Sequence, residues 1–259
     1  MVPTALDPLV AHADDAAVLV DYDGSLAPIV DDPEAAIPLP AARDALAALV
    51  GRIACVAVVS GRPVGLLRER LGIDGLTYVG QYGLQRWEAD RVVTDARVEP
   101  FVAAIEEVAV AASRELPGVL VERKDGVAVV LHWRQRPDRE ADAAAWAGHA
   151  AAAAGLELHP ARMAAELRPP VPMDKGTVVA ELCAGLAAAA FAGDDAGDLP
   201  AFDALDRLQQ SGGLGHAVRI GVSSPEGPAE LEARADVRVD GPAGLAALLT
   251  DLGASLRAR

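Results

Sequence analysis

Lysine is almost missing from this sequence. Of its 23 basic residues only Lys124 and Lys175 are lysine, and 38 acidic residues outweigh them, for a formal net charge of -15 at pH 7. So acidic a chain repels nucleic-acid backbones and anionic membranes, and neither is an expected partner. It repels phosphorylated metabolites as well, so a site for one has to bring its own positive charge. Cysteine is scarce too. Cys55 and Cys183 sit in apolar sequence and are expected to be buried, reduced thiols of a cytoplasmic protein. No apolar run approaches the ~20 residues of a membrane span. The first residues carry Asp7, Asp14 and Asp15 with no basic stretch ahead of the apolar one, which makes a poor signal peptide. No internal repeat is visible, and no protein partner is deducible.

Apolar side chains, by contrast, are plentiful: 52% of the 259 residues are hydrophobic, enough for one large domain or two modest ones. The alanine and arginine bias has a plain source in a GC-rich genome. Against that bias the two lysines stand out, because arginine's planar fork does not reproduce a compact ammonium charge.

Hydrophobic periodicity predicts a strand over 17–20, a helix over 40–50, a strand over 53–59, a helix over 63–71 and a strand over 77–80. Alternation at this spacing argues a parallel sheet with crossover helices. The pattern then changes. An amphipathic helix over 101–116 precedes strands at 119–122 and 127–133 joined by the turn Arg123-Lys124-Asp125-Gly126. An Ala-rich helix over 139–154 and strands at 156–159 and 164–168 follow. After Pro169-Pro170 the first pattern returns: helix 175–184, strand 188–192, helix 200–209, strands 216–222 and 237–239, and helix 243–256. The reading is an α/β protein, with a Rossmann-like core of residues 1–97 and 169–259 and a smaller α+β cap inserted as residues 98–168.

Four short segments carry candidate chemistry: Asp21-Tyr-Asp-Gly-Ser-Leu26, Ser60-Gly-Arg62, Asp174-Lys-Gly176 and Gly193-Asp-Asp-Ala-Gly-Asp198. Three of them begin at a strand's C-terminal end or a helix's N-terminal end, the edge where open parallel sheets bind ligands. Asp21 and Asp23 leave their strand, expected to end exposed, on the same side, and Gly24 lets the backbone approach a ligand closely. Such a pair can hold a hard cation or divide labour between attack and proton transfer. The same letters also begin calcium loops and ordinary turns. Asp194, Asp195 and Asp198 repel one another unless a cation sits among them, or they cap a solvated helix. The Ser60 hydroxyl and neighbouring N–H groups suit a phosphoryl oxygen, or an N-cap. Lys175 is either a phosphate ligand or a surface lysine.

Together and in this order the four segments resemble the haloacid dehalogenase superfamily. The resemblance implies that Asp21 attacks phosphorus and becomes a phosphoaspartate, and that Asp23 protonates the leaving oxygen and then activates water. It implies that Ser60 and Lys175 hold the phosphoryl oxygens. Mg2+ would be held by Asp21, the Asp23 backbone carbonyl and Asp194, with Asp195 or Asp198 in support.

The insert lies where this superfamily places a larger cap. Val121-Glu-Arg-Lys-Asp-Gly-Val-Ala-Val-Val-Leu-His-Trp-Arg134 and Glu166-Leu-Arg-Pro-Pro-Val-Pro-Met-Asp-Lys-Gly176 resemble segments of trehalose-6-phosphate phosphatases, over most of residues 18–239. By that match Glu122, Lys124 and Glu166 line a sugar pocket, and Gly24, Arg62 and Tyr82 join the substrate-contacting set. Two departures stand out. Gly80-Gln81-Tyr82-Gly83 replaces the family's Gly-x-His-Gly, and Gly197 and Leu199 replace a Thr and a Glu in the last acidic motif. The expected partner is therefore a small-molecule sugar phosphate. Phosphatases for sucrose phosphate or mannosyl-phosphoglycerate, and a non-catalytic sugar-phosphate sensor, are the rival readings.

Overall fold

A computed structural model describes residues 3–30, 35–161, 163–224 and 227–258. Its contacts divide the chain into two compact units, residues 1–92 with 173–259, and residues 93–172.

Among the described residues the first unit is built on an eight-stranded sheet, whose edge strand ends two residues past the unit's boundary. Its strands are β1 (Ala16–Val20), β2 (Cys55–Val59), β3 (Thr77–Gly80), β4 (Gln85–Glu88), β5 (Arg91–Thr94), β10 (Ala188–Gly193), β11 (His216–Ser223) and β12 (Val237–Asp240). Their order is β12-β11-β10-β1-β2-β3-β4-β5. From β12 to β3 every pairing is parallel, and β4 pairs antiparallel with β3. The central strands read AAVLV and AAAFAG and are buried throughout. That is the composition of a parallel strand covered on both faces. On one face Val18, Val20 and Ala190 pack with α2 (Pro40–Leu49), α3 (Val64–Leu71) and α9 (Gly241–Arg257); on the other Leu19 and Phe191 pack with α6 (Lys175–Cys183) and α7 (Leu199–Gln210). The short α1 (Asp7–Ala11) joins the first layer through Leu9, and α8 (Ala229–Arg234) the second through Leu231.

From β1 the chain winds one way through β2 to β3, and from β10 the other way through β11 to β12. The reversal falls between β1 and β10, and crevices at such a switch point, beyond the strands' carboxyl ends, are where ligands bind. Val20 pairs with Ala192, and the Asp21 amide donates to the Ala192 carbonyl at 2.9 Å. The two acidic motifs therefore leave the sheet side by side.

The second unit is a four-stranded antiparallel sheet, β6 (Leu120–Lys124), β7 (Ala128–His132), β8 (Glu157–Ala161) and β9 (Ala164–Arg168), in the order β6-β7-β9-β8. The helices α4 (Val102–Glu115) and α5 (Glu140–Ala154) cover one face over Val129, Leu131, Ala165 and Leu167. Asp125 and Gly126 both have positive φ, 49° and 72°, as a two-residue hairpin turn demands. Lys124, expected within that turn, is instead the last residue of β6 and is buried. The thiols are free, but only Cys183 is fully buried and Cys55 is half-buried.

Candidate active site

The site begins where β1 ends. The Leu26 and Ala27 amides both donate to the Tyr22 carbonyl at 2.9 Å, and the Gly24 amide donates to Ala27 at 2.7 Å, folding the motif into a tight turn. Gly24 has φ 77°, and a Cβ there would lie 2.1–2.3 Å from the Asp194 carboxyl group. Glycine is thus required both by the backbone and by the carboxylate pressed against it. Gly193 makes room in the same way, since its Cβ would meet the Asp198 carboxyl carbon at 2.3 Å.

Lys175 enters from the start of α6, which packs on the sheet face that carries Leu19 and Phe191. Asp174 caps α6, its side chain accepting from the Thr177 amide at 2.7 Å and from the Thr177 hydroxyl at 2.8 Å, and Lys175 is the first helical residue. Its Nζ donates to Asp21 Oδ1 and to Asp198 Oδ1, both at 2.6 Å. Asp198 Oδ2 in turn accepts from the backbone N–H groups of Asp194 at 2.8 Å and Asp195 at 3.2 Å. Asp21 was expected at an exposed strand end; it is only 4% exposed, because this lysine and the β10 turn close over it.

Asp21, Asp194 and Asp198 are all buried, each with a carboxylate oxygen within 4.8 Å of the others, as for ligands of one metal ion. Three carboxylates against one ammonium leave two formal negative charges uncompensated. Both Asp194 oxygens are buried and accept no hydrogen bond among the described residues. The Ser224 hydroxyl is close enough to draw the Asp194 pKa down a little, without reaching hydrogen-bond geometry. Burial, and then the charges of Asp198 and Asp195, push Asp194 up to about 7. Burial also holds Asp21 well above the usual carboxylate range, Lys175 pulling it back and Asp198 and Asp194 adding to the rise. Burial pulls the Lys175 ammonium down, but Asp198, Asp21 and Asp195 outweigh it and leave it charged. Orphaned oxygens in a site of excess negative charge fit a hard divalent cation bound through oxygen.

The side chains of Asp23 and Asp195 stand outside this triad. Arg62 clamps Asp23 bidentately, Nε to Oδ2 and Nη2 to Oδ1 at 2.7 Å each. Arg62, expected among the substrate contacts, is thus tied to a carboxylate 39 positions away, a pairing that no local pattern marks. Asp195 accepts from the Gly197 amide at 2.8 Å and forms a reciprocal capping box with Asp198. A Cβ on Gly197 would sit 3.1 Å from Asp195 Oδ1, so glycine relaxes a tight turn at the position where the family carries Thr. Ser60, at the end of β2, is buried, its Oγ accepting from the Arg62 amide at 3.2 Å. Tyr82 has φ 57° and its ring lies against Gly61, whose Cβ would meet it at 2.6 Å.

Beside these groups lies a cleft of about 200 Å³. Asp23, Arg62, Asp194 and Asp195 form its polar side, and Ile29, Val30 and Ala36 its apolar side. Sequence patterning gave no hint of the apolar side, whose residues belong to no strand or helix.

In the second unit, register aligns Glu122, Val130, Glu166 and His159 in one row across the sheet, on the face away from α4 and α5. Lys124 Nζ donates to Glu166 Oε1 at 3.0 Å, and His132 Nε2 lies 2.7 Å from Glu122 Oε2. The three expected sugar ligands thus share a face with His132, which belongs to the matching cap segment but carries no expected role.

The doubly wound sheet has the fold of a solved haloacid dehalogenase-like hydrolase, and here it sets a buried lysine and an acidic triad at its switch point. A Candida albicans trehalose-6-phosphate phosphatase C-terminal domain aligns with 97% of this chain and 96% of its own at a TM-score of 0.79 and 22% identity. Residues 19–241 match the family described as Trehalose-phosphatase, and the chain belongs to that family. It is 37% identical over 204 residues to a trehalose-phosphate phosphatase of Mycobacterium avium, covering 73% of this chain and 51% of the relative. It is 35% identical over 207 residues to an uncharacterized glycosyl hydrolase of Mycobacterium tuberculosis, covering 73% of this chain and 15% of the relative. The chain thus spans about half of one of these relatives and a small part of the other. Among the described residues no helix is long and apolar enough to cross a membrane.

Proposed function

We propose that the protein is a Mg2+-dependent phosphatase that hydrolyses trehalose 6-phosphate through a phosphoaspartate on Asp21, as a cytoplasmic enzyme of trehalose biosynthesis. The observation that carries this reading is the Asp21–Lys175–Asp198 contact beside the orphaned Asp194 carboxylate. Lys175 bonds Asp21 Oδ1, so Oδ2 is the oxygen that attacks phosphorus. The bond to the sugar oxygen breaks as Asp23, its Arg62 clamp opened when Arg62 turns to the substrate, gives that oxygen a proton. Asp23 then takes a proton from the water that displaces Asp21, releasing inorganic phosphate. Lys175 and Ser60 hold phosphoryl oxygens through both halves, with Gly24 keeping the backbone close. Mg2+, held by Asp21, Asp194, Asp198 and the Asp23 carbonyl, would supply the positive charge that lets an acidic site take a phosphate dianion.

For the sugar, Glu122, Lys124 and Glu166 offer charged donors and acceptors suited to several hydroxyls, with Tyr82 as a further contact. The family match and the relatives' names favour trehalose 6-phosphate over other sugar phosphates. The test is phosphate release, with Mg2+ and with chelator, over a panel of trehalose 6-phosphate, sucrose 6-phosphate, mannosyl-phosphoglycerate and an aryl phosphate. Trehalose 6-phosphate should lead by at least about tenfold in kcat/KM. Turnover of none of the four would favour a sensor, and a different leader would replace the substrate.

A further inference from the structure

We propose that Ile29, Val30 and Ala36 form a subsite in the first unit for the carbon skeleton next to the scissile oxygen. The proposal rests on the reading of Asp23 as the proton donor to that oxygen. A donor has to lie within hydrogen-bond reach of the atom it protonates. The first carbons of the leaving group therefore pass beside Asp23, and the cleft that Asp23 lines has these three side chains as its apolar side.

The wall is fixed to the nucleophile's own strand. Tyr22, wholly buried next to Asp21, donates its hydroxyl to the Ala36 carbonyl at 3.0 Å. The Leu39 amide donates to the Leu26 carbonyl at 3.0 Å, and Asp23 forms a β-bridge with Ala27. Both ends of the segment carrying the wall are thus tied to the motif turn. Ile29 and Val30 nevertheless remain 40% exposed. In a cleft otherwise lined by carboxylates and a guanidinium, two adjacent branched side chains open to solvent are the surface that gains from covering by hydrocarbon. A sugar phosphate presents such hydrocarbon at the carbon bearing the ester and at the C–H faces of its ring. Inorganic phosphate presents none.

The experiment compares phenylphosphonate with inorganic phosphate by calorimetry in Mg2+, for the wild type, Ile29→Ser/Val30→Ser and Ile29→Leu/Val30→Leu. The wild type should bind phenylphosphonate more tightly than phosphate. The serine variant should weaken phenylphosphonate about five- to tenfold and leave phosphate within about twofold, while the leucine variant keeps both. The proposal fails if phenylphosphonate is unaffected in the serine variant, if phosphate weakens in parallel, or if the wild type shows no preference. Binding is read without turnover. A protein that shows this pattern yet does not hydrolyse trehalose 6-phosphate would sink the substrate reading and leave the subsite standing.

Discussion

Lys175 and Lys124 are both buried and both touch carboxylates, yet their surroundings differ in whether every carboxylate finds a partner. In the first unit one ammonium stands among Asp21, Asp194 and Asp198, and two formal negative charges remain uncompensated. In the second, Lys124 donates to Glu166 and the His132 ring meets Glu122, so neither carboxylate is left without a hydrogen-bonding partner as Asp194 is among the described residues. A cluster out of balance demands an ionic ligand, since buried like charges shift toward neutrality unless a cation joins them. A network of hydrogen-bonded pairs has no such demand, and its donors and acceptors can be shared with a neutral polyhydroxyl. The same rare residue type sits in an ionic cluster in one unit and in a paired polar network in the other.

Substitutions can break this comparison at several strengths. The largest effect is expected for Asp21→Asn, which keeps shape and removes the nucleophile, lowering steady-state phosphate release by at least about 10³-fold. The residue is buried beside like charges, so without metal the variant should melt no lower than the wild type. Near-normal turnover would remove the mechanism. Lys175→Arg should lose about 10²-fold or more in kcat/KM, because a planar fork does not fit the space in which one nitrogen meets two carboxylates at 2.6 Å. Retention of most activity would mean that charge alone matters there.

Changes in the second unit should be milder and selective. Glu122→Gln combined with Lys124→Met should reduce kcat/KM for trehalose 6-phosphate about tenfold or more, about 1.5–3 kcal/mol for a lost charged hydrogen bond. An aryl phosphate makes no use of those groups, and its turnover should hold. A ratio of the two substrates that does not move would reduce the polar face to a structural ion-pair set.

The smallest expected effect is on stability. In the folded metal-free protein Asp194 keeps its proton to about pH 7, against 3.8 for the ordinary carboxyl. The folded state then binds more protons between those values, so this group's contribution to stability falls as pH rises through that window. A bound cation favours the ionised form and cancels the loss. The melting midpoint in chelator should therefore fall further between pH 5 and pH 8 than in saturating Mg2+, by a few degrees. Equal slopes in the two conditions would mean that no metal engages Asp194.

Much of the first unit was legible because its strands are buried on both faces and read as unbroken apolar runs, as in Ala188–Gly193. The motifs at their ends stood out for the same reason, charge following directly on hydrocarbon. The hairpin β4–β5 was not legible. Its turn, Ala89-Asp90, takes φ values of 48° and 58° without a glycine, so the usual turn letters are missing. The short α1 and α8 span too few turns to show a period. At the site, Asp21, Lys175, Asp194 and Asp198 could be named from sequence, but not the clamp of Arg62 on Asp23 or the apolar wall. Those depend on which loops meet above the sheet, and no local pattern encodes that meeting. Lys124 was misplaced because a hairpin's turn letters blur its last strand residue.

The pairing of β1 with β10 has a consequence for how the protein comes into being. Asp21 and Lys175 are 154 positions apart, and β10, which leads into Asp194, is made later still. During synthesis the N-terminal strands emerge with the central edge of β1 unfilled until residues 188–193 leave the ribosome, while residues 93–172 already contain a complete local sheet. Contacts of such long sequence separation close slowly. Asp21 thus meets Asp194 and Asp198 only when the sheet's centre closes, and a nascent chain stalled before β10 exposes an apolar strand edge of the kind that aggregates.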